Sequence, residues 1–169
     1  RLKDPRGVPI AIGLLTDEEW SGRVQAAMAL GKIGSKDAIP PLMQALQDED
    51  ESVILEAANA LGRLKAMEAF DQVLALFTDG SEYLRFFIPD ALVLYGDKRA
   101  VEPMVEGLLG DDPVLACQIA WSLGKLGFKE AVPALIDVMQ EDPESGLVTA
   151  CADALGILGD ASAINPLKQ

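Results

Sequence analysis

Two glutamates four residues apart, Glu102 and Glu106, are the side chains here whose type and spacing best suit acid–base chemistry. An (i, i+4) spacing sets both on one face of a helix. Paired carboxylates work as acid and base when one pKa is raised and water is kept out. Asp137 stands where a neighbouring helix would bring it beside them. No surrounding residues promise an enclosing pocket, so the expectation is a solvated acidic face. Cys117 and Cys151 lack CxxC spacing and lie within apolar helical patterns, which points to core thiols in a reducing compartment. The sequence contains no histidine. That removes histidine-based triads and dyads, histidine–metal sites and the commonest general base near neutral pH. No glycine-rich phosphate loop follows a strand, and no loop carries the alternating ligands and glycine of a calcium loop. The expectation is therefore no catalytic, cofactor-binding or metal-binding residue and no cofactor.

The balance of 27 acidic against 14 basic side chains, a formal charge of −13, opposes nucleic-acid binding, which depends on Lys and Arg neutralising phosphates. It favours basic partners. No uninterrupted apolar run reaches the roughly 18 residues of a membrane span, so a cytoplasmic protein without membrane contact is expected. Hydrophobic residues make up 50% of the chain and aromatics 5%, so small and branched side chains must build the core.

The elements that position these residues come from a repeat. The segment Ala29-Leu30-Gly31-Lys32-Ile33-Gly34 returns as Ala60-Leu61-Gly62-Arg63-Leu64-Lys65, as Ser122-Leu123-Gly124-Lys125-Leu126-Gly127 and as Ala154-Leu155-Gly156-Ile157-Leu158-Gly159. A looser copy is Ala91-Leu92-Val93-Leu94-Tyr95-Gly96. The anchors Leu30, Leu61, Leu92, Leu123 and Leu155 step by 31, 31, 31 and 32 residues. Pairs such as Ala38-Ile39, Ala69-Phe70, Ala100-Val101 and Ala131-Val132 keep the same register. Each unit reads as two helices. The first, helix A, ends where Gly34, Gly96, Gly127 or Gly159 offers a left-handed cap. The second, helix B, opens on prolines, whose missing amide costs nothing in a first turn. Acidic loops such as Asp48-Glu49-Asp50-Glu51 and Asp111-Asp112 precede the next helix A and can cap it.

These units, with Ala26-Ala27-Met28-Ala29-Leu30-Gly31-Lys32-Ile33-Gly34 followed by Ala38-Ile39-Pro40-Pro41-Leu42, resemble the HEAT-like repeats named from phycobilisome lyases. The resemblance implies an all-α, right-handed α-α superhelix of about five hairpins truncated at both ends. One solenoid over 1–169 is expected, with a partial repeat 1–17, repeats 18–48, 49–79, 80–110 and 111–142, and a partial repeat 143–169. Such repeats often carry a Val-Arg pair early in helix A. Here the matching positions are Arg23-Val24, Ile54-Leu55, Arg85-Phe86, Ala116-Cys117 and Val148-Thr149, so an arginine ladder is not expected. Apolar end surfaces imply continuation of the natural protein or end-to-end self-association.

The resemblance also implies that B helices line a concave face, where Gln44, Gln47, Gln72, Glu102, Glu106, Asp137 and Gln140 break the apolar pattern. Phe87, beside Pro89 within a helix A, matches the polar Gln25, Glu56 and Gln118, Trp121 in the next unit matches Met28, Asn59, Asp90 and Asp153, and the two form a candidate second contact. From the sequence, the expected function is a non-catalytic scaffold or adaptor, not an enzyme, binding a basic or amphipathic protein or peptide. The alternatives are a subunit of a bilin chromophore lyase or a regulatory segment of a larger enzyme. Di-iron hydroxylases built on HEAT-like repeats need His-Glu ligand pairs, and the missing histidine sets this chain apart from them.

Overall fold

The computed structural model describes residues 6–141 and 146–159. Every regular element among them is helical: α1 (Gly7–Leu14), α2 (Trp20–Ile33), α3 (Ile39–Ala45), α4 (Glu51–Leu64), α5 (Phe70–Thr78), α6 (Glu82–Tyr95), α7 (Val101–Leu108), α8 (Pro113–Leu126), α9 (Val132–Glu141) and α10 (Gly146–Leu158). Even-numbered helices are the A helices and odd-numbered ones the B helices. A short 3₁₀ turn joins A to B at Lys36–Ala38, Met67–Ala69, Lys98–Ala100 and Lys129–Ala131. Its alanine is fully buried in all four, so nothing larger fits that corner.

The chain divides into two compact units, 1–95 and 96–169. Each is a short α-solenoid. In the first, α2 packs on α4 and α4 on α6, while α1, α3 and α5 line the other side. In the second, α8 packs on α10, with α7 and α9 beside them. The leucine anchors are interior as the period requires: Leu30, Leu61 and Leu92 are 0% exposed, Leu123 and Leu155 1%.

Helix ends follow the local chemistry. Asp50 accepts the Ser52 amide at 2.9 Å, and Asp112 accepts those of Val114 and Leu115 at 2.9 and 3.1 Å. Ser81, not an acid, accepts the Leu84 amide and opens α6. Each such cap satisfies a donor with no partner inside the helix, worth about 1 kcal/mol. α2 and α8 end on left-handed glycines, Gly34 at φ 84° and Gly127 at φ 85°. In α4 Lys65 takes that conformation at φ 54°, and its ammonium reaches the carbonyls of Leu94 and Tyr95 at the end of α6. Pro89 lies buried inside α6, which remains one helix from Glu82 to Tyr95.

The absence of an arginine ladder needs one qualification at Arg23. The residue is only 8% exposed, and its side chain binds Asp48 bidentately, Nε to Oδ2 and Nη2 to Oδ1, both at 2.8 Å. Nη1 donates to the carbonyls of Asp17 and Glu18 at 2.9 and 3.1 Å. One guanidinium thus ties two successive acidic loops together, and Asp48 acts as its counter-ion rather than as a helix cap. Burial alone would raise the Asp48 carboxyl, but the bonds from Arg23 and the Asp50 amide hold it below the usual carboxylate range.

Candidate functional site

Each unit carries a groove on its B-helix side. In the second unit the groove has a volume of 570 Å³ and is lined by Lys98, Arg99, Val101, Glu102, Val105 and Glu130. Val101 and Val105 lie one turn apart on α7 and make an apolar floor. The charged side chains come from the 3₁₀ turns and the first turn of α7. Lys98 donates to Glu130 across successive turns, and this hydrogen bond holds the Glu130 carboxyl below its ordinary range. Asp97 accepts the Arg99 amide at 2.8 Å and its Nε at 3.1 Å, so Arg99 is drawn back toward its own turn. Glu102 is exposed on the groove wall.

The first unit's groove has a volume of 350 Å³ and is lined by Ile12, Leu15, Thr16, Pro41, Gln44, Ala45, Gln47 and Asp48. Its rim is mainly amide and hydroxyl, because Asp48 is already engaged by Arg23. A neutral rim suits hydrogen-bonding groups. The second groove, with charges over an apolar floor, suits an aliphatic stem carrying a charged head.

The residues singled out from the sequence separate into groups. Gln44 and Gln47 share the first groove, and Glu102 lines the second. Gln72, Glu106, Asp137 and Gln140 are exposed on B helices but line neither groove. Phe87 and Trp121 lie on A helices, at 38% and 39% exposure. Phe87 stacks against Tyr83 and Phe86, with ring centroids 4.9 Å apart in each case. Trp121 lies beneath Lys125, whose ammonium is 3.4 Å from the ring centre, a cation–π contact. Sequence reasoning missed Lys98, Arg99 and Glu130. The signal was available: a turn ending in buried alanine recurs every 31 residues with charge before it. Cys151 is buried and Cys117 half-buried; burial, and then Cys117, push the Cys151 thiol up to about 11. It is a protonated core residue at neutral pH.

The family model of HEAT repeats matches residues 1–58, 39–116 and 101–169, which together span the chain. The chain belongs to the HEAT-repeat family. Within these HEAT repeats it is 31% identical over 88 residues to the deoxyhypusine hydroxylase of Schizosaccharomyces pombe, covering 52% of this chain and 28% of that protein. It is 28% identical over 75 residues to that of Gallus gallus, covering 44% and 25%. The chain thus spans about a quarter of the length of the curated relatives it matches. In fold it is similar to human deoxyhypusine hydroxylase, at 23% identity and a TM-score of 0.51, covering 98% of this chain and 67% of that one.

The relatives correct two expectations drawn from the sequence, that the chain is a non-catalytic scaffold or adaptor and that it is not an enzyme. The proteins it resembles in sequence are named as hydroxylases. The absence of histidine and of a visible pocket weighed toward a scaffold, and neither feature reports on kinship. Non-haem hydroxylases hold iron with histidines and carboxylates. This sequence has no histidine, and no group of three possible metal donors occurs among the described residues. The donor set present therefore does not fit such a centre, and no reaction step is assigned through one. Among the described residues no helix is long and apolar enough to cross a membrane.

Proposed function

We propose that this chain is the HEAT-repeat substrate-holding segment of a hydroxylase-type enzyme that acts on a basic side chain carried by a polypeptide. The oxygen-activating group is held outside these 169 residues. The observation that carries this reading is the 31% identity to a deoxyhypusine hydroxylase over half the chain. The groove of the second unit supports it. A stem laid along Val101 and Val105 would bring an ammonium toward Glu102, with Glu130, paired to Lys98, also in the lining. Glu106 and Asp137, exposed on α7 and α9, add acidic charge to this unit, which attracts basic segments and repels acidic ones.

Binding of a fluorescent peptide bearing deoxyhypusine, compared with its lysine and norleucine counterparts, tests the reading. The deoxyhypusine peptide is expected to bind best and the norleucine peptide least. Glu102→Lys is expected to weaken binding by roughly tenfold, the effect of about 1.4 kcal/mol. Equal binding of all three peptides, or an unchanged Glu102→Lys variant, sinks the proposal. Hydroxylated product from the 169-residue chain with added ferrous iron and oxygen would sink the assignment of oxygen chemistry elsewhere.

A further inference from the structure

The groove of the second unit has two cations and two carboxylates in its lining, and they are not equally engaged. Arg99 is drawn toward Asp97, which lies outside the lining, with Nε 3.1 Å from Oδ1 and Nη2 3.2 Å from Oδ2. Lys98 instead donates to a carboxylate of the groove itself, Glu130. Glu102 makes no ion pair among the described residues. One acid of the groove is therefore open, and the other carries a cation that the chain supplies. That cation is easily displaced. Lys98 and Glu130 meet through a single Nζ–Oε1 contact in the open, whereas Arg23 and Asp48 meet through two and are nearly buried. An exposed pair is held weakly, because water competes for both charges and two long side chains must be kept still. The corner is particular to this unit. In the first unit the matching positions are Lys36 and Glu68, which form no ion pair among the described residues, and Pro40 stands where Glu102 does.

We propose that Lys98 is an exchangeable counter-ion that sets the selectivity of this groove. It holds Glu130 until a ligand with two cationic nitrogens arrives, one of which engages Glu102 while the other takes the place of Lys98 on Glu130. This selectivity rests on the groove being a seat for a basic side chain, as proposed above. A ligand with one cation settles at Glu102 and leaves the Lys98–Glu130 pair closed. A second cation turns that pair into a second anchor. The exchange suits a lysine: its ammonium is strongly hydrated and its stem flexible, so on leaving Glu130 it passes into water at little cost. An arginine at this position would grip a carboxylate with a planar fork and release it less readily.

Fluorescence anisotropy with the three peptides tests this in the wild type, Lys98→Met, Glu130→Gln and the double variant. Deoxyhypusine carries two amine nitrogens in its side chain, lysine one and norleucine none. In Lys98→Met the deoxyhypusine peptide is expected to bind roughly threefold tighter, with the lysine and norleucine peptides unchanged. Glu130→Gln is expected to weaken the deoxyhypusine peptide and to spare the lysine peptide. In the Glu130→Gln background, Lys98→Met is expected to add nothing, because the carboxylate it competes for is gone. Lys98→Arg is expected to weaken the deoxyhypusine peptide alone. A wild type that binds deoxyhypusine and norleucine peptides equally sinks the proposed function and the counter-ion role with it. A wild type that ranks the peptides as expected, with no tightening in Lys98→Met, overturns the counter-ion role alone. The same holds if lysine and deoxyhypusine peptides tighten equally, or if the gain survives in Glu130→Gln, since Lys98 then merely repels cations. Circular dichroism checks that the variants stay helical, and Lys98→Gln makes the same cut should Lys98→Met lose its fold.

Discussion

Each unit has a groove on its own B-helix side, and the two differ in position along the helix and in polarity. In the first unit the groove is built from the C-terminal parts of α1 and α3, around Ile12, Thr16, Gln44 and Gln47. In the second it sits at the opposite end of the B helix, around the 3₁₀ turns and the first turn of α7. The difference lies in what the charges do. Asp48 is spent on a nearly buried guanidinium, which fixes two loops and leaves a neutral rim. Lys98 and Glu130 pair in the open, 63% and 51% exposed, and leave their charge available to a ligand. One arrangement is structural and the other is free to exchange partners, although both appear as acid–base pairs that bridge successive loops or turns.

The largest expected effect tests what the two regions share. Leu61→Ala in the first unit and Leu123→Ala in the second remove equivalent, fully buried anchors, and each is expected to cost ~2–5 kcal/mol in urea unfolding. A loss well below that range in one of them would mean its unit lacks the common spine.

Asp48→Ala comes next, because it strands a buried cation. Melting is expected to fall by about 5 °C or more. The sign of its pH dependence follows from the depressed folded pKa. The stabilisation is fully present above the ordinary carboxylate pKa and is lost as pH falls through the lower folded value. The melting gap between wild type and variant should therefore narrow as pH drops below about 4. A constant gap down to strongly acid pH would show that the clamp is not electrostatic.

The smallest effect is expected for Lys98→Ala, where melting should move by no more than about 1 °C, because exposed pairs are screened and mobile. A shift as large as that of Asp48→Ala would erase the distinction between the two regions.

Period and composition made the fold legible. The leucine steps, the glycine caps and the alanine corners each repeat, and each answers a local steric demand that a sequence displays directly. The sites were legible in part. Exposed B-helix positions such as Glu102 and Gln44 follow from a broken apolar pattern, but their grouping into grooves depends on residues from turns a whole repeat away. Glu130 and Lys98 approach each other across about 30 residues of sequence, and nothing local marks either as the other's partner. Arg23 was harder still. Its order with Val24 is inverted relative to the family habit, and its partner Asp48 looks like one more capping acid. Kinship to an enzyme had no local signature at all, because the similarity resides in the repeat framework rather than in a reacting group.

The end of α4 carries one more consequence. Lys65 both closes its own helix and grips the last carbonyls of α6. A terminal turn normally unwinds alone, at little cost to its neighbours. Here the final turn of α6 loses two acceptor contacts when Lys65 moves, and α4 loses its closing residue at the same moment. Unravelling of these two ends becomes a single concerted event, slower to begin and shared between adjacent hairpins.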